Sequence, residues 1–132
     1  MILVDSNVLI DVMQNDAVWA DWSAAQLQQA RATQKLAINA VILAELSFCY
    51  DTLDELTNAL GSIGAVNKPI PDAAAFAAGH AFAKYRRRKG VKTGVLPDFL
   101  IGAHALHAGY TLLTRDVARY KTYFPQARLI HP

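Results

Sequence analysis

Two stretches decide how this chain folds: Ile2-Leu3-Val4-Asp5 near its start and Tyr110-Thr111-Leu112-Leu113-Thr114-Arg115-Asp116 near its end. Each is a short apolar run that stops at, or just before, an aspartate. A run of this length between polar residues reads as a strand buried on both faces, the habit of a parallel sheet. In open parallel sheets the reactive crevice lies beyond the carboxyl ends of the strands. If these two strands are parallel and close, Asp5 and Asp116 project into one crevice. Two like charges brought together at no evident structural gain suggest a metal site.

Outward from these strands, the pattern alternates. After Asp5, Ser6 or Asn7 can cap a helix carrying Val8, Leu9, Val12 and Met13. A second helix is expected over Asp16 to Thr33, with Trp19, Trp22, Leu27 and Ala30 as its apolar stripe. Leu36 to Ile38 reads as a strand, Ala40 to Tyr50 as a strongly apolar helix, and Asp51 to Leu60 as another. Gly61 and Gly64 break the pattern before a strand near Ala65 to Lys68. Pro71 and Asp72 open a long Ala-rich helix that runs into Arg86-Arg87-Arg88-Lys89-Gly90, and Gly90 to Leu96 reads as loop. Pro97 suits the first turn of a helix from Asp98 to about His107, because a missing N–H costs nothing there. Gly109 stops it. A helical turn at Val117 to Tyr120 and a strand at Arg128 to Ile130 complete the pattern. Alternating strands and helices predict a three-layer α/β/α sandwich with a mainly parallel sheet, in one domain over residues 1–132.

Composition narrows the class. With 132 residues, 53% of them hydrophobic and 18% charged, the chain can bury a core and is not a disordered segment. Cys49 is the single cysteine, so no intramolecular disulfide forms, and a reducing, cytoplasmic setting is the simpler expectation. Neither a signal peptide nor a membrane span is expected. The formal net charge of +2 is compatible with a nucleic-acid partner without demanding one.

Four acids stand at telling positions. Asp5 and Asp116 end strands, though either could simply cap the helix that follows. Glu45 is the one charged residue between Ala40 and Tyr50. On a mostly buried helix such a carboxylate needs a cation, a metal or a shifted pKa; on a helix with one wet strip it is merely the wet residue. Asp98 opens an apolar helix, where an acid also complements the helix dipole. A cluster of Asp and Glu without paired cysteines or histidines selects hard cations, magnesium (Mg2+) or manganese (Mn2+). Such a centre suits phosphodiester hydrolysis, by activating water and stabilising charge on the leaving oxygen. Ser6 and Thr114, each close in sequence to an acid, are candidates to steady a carboxylate or a metal-bound water.

Other chemistries lack their residues. His80, His104, His107 and His131 show no zinc spacing, and His104 and His107 could both be exposed. There is no glycine-rich phosphate loop and no Gly-x-Ser-x-Gly elbow. Cys49, in the apolar helix, reads as core. The cations Lys84, Arg86, Arg87, Arg88, Lys89 and Lys92 form the dense positive patch. They either offset a helix C-terminal dipole or bind nucleic-acid phosphates beside the acids. Trp19 and Trp22 read as packing rather than as a base-stacking platform. A phosphatase using Asp5 as nucleophile would want an Asp two residues on, as in the haloacid-dehalogenase pattern, where Asn7 stands instead. A non-catalytic RNA-binding or scaffold protein that uses the basic patch is the remaining alternative.

Taken in order, four motifs resemble the PIN-domain family and, within it, the VapC-like toxins of type II toxin–antitoxin pairs. They are Ile-Leu-Val-Asp-Ser-Asn-Val-Leu-Ile from residue 2, Ala-Glu-Leu around Glu45, Leu-Pro-Asp-Phe-Leu-Ile-Gly-Ala-His-Ala around Asp98, and Leu-Leu-Thr-Arg-Asp at Asp116. The resemblance spans essentially the whole chain. It implies Asp5, Glu45, Asp98 and Asp116 as an acidic quartet, with Thr114 as an accessory polar residue. It further implies a magnesium- or manganese-dependent endoribonuclease, usually a homodimer, neutralised by a small antitoxin. Asp5, Asp98 and Asp116 are the expected metal ligands; Glu45 is either a ligand or orients a metal-bound water.

Overall fold

A computed structural model of the chain describes residues 1–88 and 95–132. Its sheet has five strands: β1 (Ile2–Val4), β2 (Leu36–Ile38), β3 (Ala65–Asn67), β4 (Thr111–Leu113) and β5 (Leu129–Ile130). Their order is β3-β2-β1-β4-β5, and every pair is parallel. The helices are α1 (Ser6–Met13), α2 (Ala20–Thr33), α3 (Ala40–Leu46), α4 (Leu53–Ile63), α5 (Asp72–Arg87), α6 (Leu96–Ala108) and α7 (Ala118–Tyr123). The expected parallel α/β architecture is the observed one.

The chain builds outward from β1 through β2 to β3, then returns to β1's other side for β4 and β5. The order therefore reverses between β1 and β4, which opens a crevice at their carboxyl ends. Register places Val4 beside Leu113, so Asp5 and Thr114 leave the sheet side by side. All three residues of β1 and of β2 are buried, as central strands covered on both faces require. The edge strands β3 and β5 are only partly covered.

Several boundaries differ from the sequence expectation. α2 starts at Ala20 because Asp16 instead closes a turn, its carboxylate accepting from the N–H groups of Val18 (3.0 Å) and Trp19 (2.8 Å). The apolar helix from Ala40 stops at Leu46 and tightens into a 3-10 turn, Ser47–Cys49. That segment is not buried all round: Phe48 is 67% exposed, and Cys49 is half-buried rather than core. α4 begins at Leu53 rather than Asp51, with Thr52 as its cap: the Thr52 hydroxyl accepts from the Glu55 N–H at 3.2 Å and donates to the Glu55 carboxylate at 3.0 Å. Gly61 is carried within α4, and Gly64, at φ +87°, ends it. α6 begins at Leu96, which the sequence reading had assigned to loop.

Gly102 has a packing reason. A Cβ there would stand 2.6 Å from Phe124 Cδ2 and 3.1 Å from Tyr120 Cδ1. The missing side chain lets α7 and the segment after it lie against α6, which sets Tyr120 into the core.

Candidate acidic active site

Asp5 is the centre of the crevice. It caps α1 in place of the expected Ser6 or Asn7, its Oδ1 accepting from the Ser6 N–H at 2.8 Å. Capping does not exhaust it, because Oδ2 accepts from the Thr114 hydroxyl at 2.8 Å and the Tyr120 hydroxyl at 2.9 Å. The side chain is nearly inaccessible, at 3% exposure. Burial raises its pKa to about 6, against the lowering effect of the Thr114 and Tyr120 hydrogen bonds; the charges of Asp98 and Glu45 push it further up.

Glu45 reaches the same place from α3. The Ser6 hydroxyl donates to Glu45 Oε1 at 2.9 Å and lies 3.5 Å from Asp5 Oδ1, so one serine stands between two acids. Desolvation raises the Glu45 pKa, with Ser6 lowering it and Asp98 raising it. The helix carrying Glu45 is fixed by Asn39, whose carbonyl oxygen accepts from the Ile42 N–H at 3.0 Å. Its amide Nδ2 meets His104 Nδ1 at 3.0 Å, which makes Nδ1 the acceptor. His104 is buried and neutral-leaning, its pKa lowered by desolvation.

Asp98 and Asp116 form the other side. Asp98 lies in the first turn of α6 and pairs with Arg119 of α7; Asp116 Oδ2 is 4.0 Å from the same guanidinium nitrogen. Desolvation raises the Asp98 pKa, opposed by Arg119 and assisted by Asp116. The Asp116 N–H donates to Thr114 Oγ1 at 3.0 Å, so Thr114 ties the backbone of one acid to the carboxylate of another.

All four sequence-derived acids thus gather at the carboxyl end of β1 and β4, along with Ser6 and Thr114. Their charges couple through Asp98, which acts on Asp5, on Glu45 and together with Asp116. Among the described residues, no three acids, histidines or cysteines stand close enough to enclose an ion. The donors are carboxylate and hydroxyl oxygens, the chemistry that hard divalent cations take, and burial, with mutual repulsion added, holds the pKa values of Asp5, Glu45 and Asp98 above the usual carboxylate range. Arg119 supplies part of that charge.

Sequence reasoning missed several members. Tyr120 and Arg119 sit in a short helix whose pattern carries no period. Asp11 was findable: it is an acid among the apolar residues of α1, the same criterion that selected Glu45. It is buried, accepts from the Ser23 hydroxyl at 2.7 Å, and takes Arg115 Nε (2.6 Å) and Nη2 (2.9 Å) on its two oxygens. Arg115 also lies 5.0 Å over the Trp19 ring, which packs edge-on against Trp22. Of the cation run, Arg86 stacks 5.9 Å over Phe82, while Arg87 and Arg88 lie at the end of α5. Lys89 and Lys92 lie outside the described residues.

Fold and site together define an open parallel α/β protein with an acidic crevice at its switch point. The PIN domain family model matches residues 2–125, and the chain belongs to that family. No curated protein matches it. Among solved structures, VapBC2 from Rickettsia felis, bound to a DNA fragment from its promoter, is 18% identical with a TM-score of 0.75, covering 100% of this chain and 99% of that one. DNA-bound VapBC from Salmonella typhimurium is 19% identical, TM-score 0.69, over 98% and 96%. A toxin–antitoxin complex from Klebsiella pneumoniae is 22% identical, TM-score 0.62, over 98% and 96%. At these identities the likeness is one of fold. No described helix is long and apolar enough to cross a membrane.

Proposed function

We propose that this chain is a divalent-metal-dependent endoribonuclease, the toxin of a toxin–antitoxin pair. The observation that carries the reading is Asp5: a buried carboxylate at the end of the central strand, electrostatically coupled to Glu45 and Asp98. Membership of the PIN family and the toxin–antitoxin complexes among its structural neighbours support it.

Asp5, Asp98 and Asp116 would hold magnesium or manganese, with Glu45 as a further ligand or a water-orienting base. When bound, the cation supplies a polarised phosphoryl oxygen and a water acidic enough to attack near neutral pH. The chain's own residues do the positioning. Thr114 and Tyr120 fix the Asp5 carboxylate, and Ser6 holds Glu45 toward it. Arg119, paired with Asp98 and near Asp116, would yield those oxygens to the incoming cation. An antitoxin peptide and a second copy of the chain are the partners this reading carries.

The test is cleavage of a structured RNA with magnesium, with EDTA, and by Asp5→Asn and Asp98→Asn. Cleavage is expected with magnesium alone, and only from the unaltered protein. Undiminished cleavage in EDTA, or by both variants, would overturn the reading.

A further inference from the structure

Between the end of α5 and α7 lies a cavity of about 460 Å³, lined by His80, Lys84, Arg87 and Arg88 on one side and Thr122 and Tyr123 on the other. Among the described residues, no acidic one lines it. Arg115 and Arg119 are neutralised by Asp11 and Asp98, whereas Lys84, Arg87 and Arg88 form no ion pair among the described residues. A helix dipole accounts for cations at the end of α5. It does not account for three of them facing the hydroxyl-bearing wall of another helix.

That wall leads to the acids. Thr122 follows Arg119 by three residues, so the two share a face of α7 about one turn apart. Arg119 pairs with Asp98, and Tyr123 packs edge-on against Phe99, the next residue, at 5.0 Å between ring centroids. Helix α7 therefore joins the cavity, through Thr122 and Tyr123, to the rim of the acidic crevice at Asp98.

We propose that this cavity binds backbone phosphates of the RNA strand whose scissile bond enters the acidic crevice. The inference rests on the ribonuclease reading and adds the path of the substrate. The Thr122 hydroxyl already donates to the Ala118 carbonyl at 2.8 Å, so Lys84, Arg87 and Arg88 make the contacts to phosphate oxygens, fixing the strand's position without reading its sequence.

Fluorescence anisotropy with a labelled single-stranded RNA in EDTA measures binding apart from cleavage. Arg87→Ala/Arg88→Ala is compared with Lys35→Ala/Arg128→Ala. The second variant removes equal charge from residues just before β2 and β5, at the amino end of the parallel sheet, opposite the crevice. The slope of log affinity against log salt is expected to become shallower by about 1.4 in the cavity variant, 0.7 per phosphate contact on a single strand, and to hold in the other. Equal losses in both variants, or none in the first, would overturn the proposal. So would a loss confined to binding of an acidic protein partner. If the RNA binds with the expected slopes but is never cut with magnesium, the nuclease reading fails and the cavity stands. Metal-dependent cutting with RNA binding unchanged in the cavity variant fails the cavity alone.

Discussion

The Arg119 guanidinium pairs with the Asp98 carboxylate and comes within 4.0 Å of Asp116, so an internal cation occupies the place between two acids proposed to hold a metal. The pair is partly accessible, with side-chain exposures of 20% and 26%. A pair of that kind contributes about 1 kcal/mol or less to stability. Arg119→Ala should therefore lower the melting temperature of the metal-free protein slightly. Because magnesium no longer competes with a tethered guanidinium, the rise in melting temperature on adding it should be larger than in the unaltered protein. Thermal unfolding with and without magnesium measures both. An equal or smaller rise in the variant would count against competition.

Asp5 makes the metal-free protein pH-sensitive. Its pKa is raised from 3.8 to about 6 in the fold. As pH climbs through that window the unfolded chain loses the proton first, so stability falls, by on the order of 3 kcal/mol for a two-unit shift. Asp5→Asn removes this slope. His104 acts oppositely: with its pKa lowered from 6.5, it costs stability as pH falls below that value. It is present in both proteins, so it cancels in their difference. Urea denaturation in EDTA should show the variant gaining on the parent between pH 4 and 6 and no further change above. A flat difference would remove the raised pKa.

Gly102→Ala is expected to damage the site from a distance. The added methyl meets Phe124 at 2.6 Å and Tyr120 at 3.1 Å. Overpacking of this sort costs roughly 1–3 kcal/mol. Displacement of Tyr120 takes a hydrogen bond from Asp5. Denaturation and cleavage assays should both register it; Tyr120→Phe, which keeps the ring and adds no overpacking, isolates the hydrogen-bond part, about 1–3 kcal/mol.

Asp11→Ala strands Arg115 and the Ser23 hydroxyl. Removing one partner of a well-buried pair costs about 3–5 kcal/mol, and the 27% exposure of Arg115 places this one at the lower end. Cleavage should fall as well, because Arg115 adjoins Asp116 and its N–H bonds Asn7. Asp11→Ala/Arg115→Met should recover much of the stability; failure to do so would mean the pair does more than neutralise itself.

Much of this was legible in the chain. Strands ending in Asp5 and Asp116 announced the parallel sheet and its crevice, and Glu45 stood out by its apolar neighbours. What stayed hidden was tertiary. Nothing local reveals that Tyr120 turns inward, since its burial depends on the space left by Gly102. Arg119 finds Asp98 across 21 residues, a contact set by the docking of α7 on α6. Glu45 falls between its two readings, half-buried on α3, a helix that shows solvent one side its composition does not betray. Asp5 also turned out to be cap and site member at once, two roles that sequence reasoning had weighed as rivals.

The pairing of Val4 with Leu113 joins the first strand to one translated more than a hundred residues later. Asp5 is made first, and Thr114, Asp116 and Tyr120 do not exist until more than a hundred further residues have been added. The ribosome therefore cannot release a partial product that carries the assembled crevice. If the crevice cuts RNA, the cell meets that hazard only once β4 and the residues after it have been made, and a premature stop anywhere before β4 yields a harmless fragment.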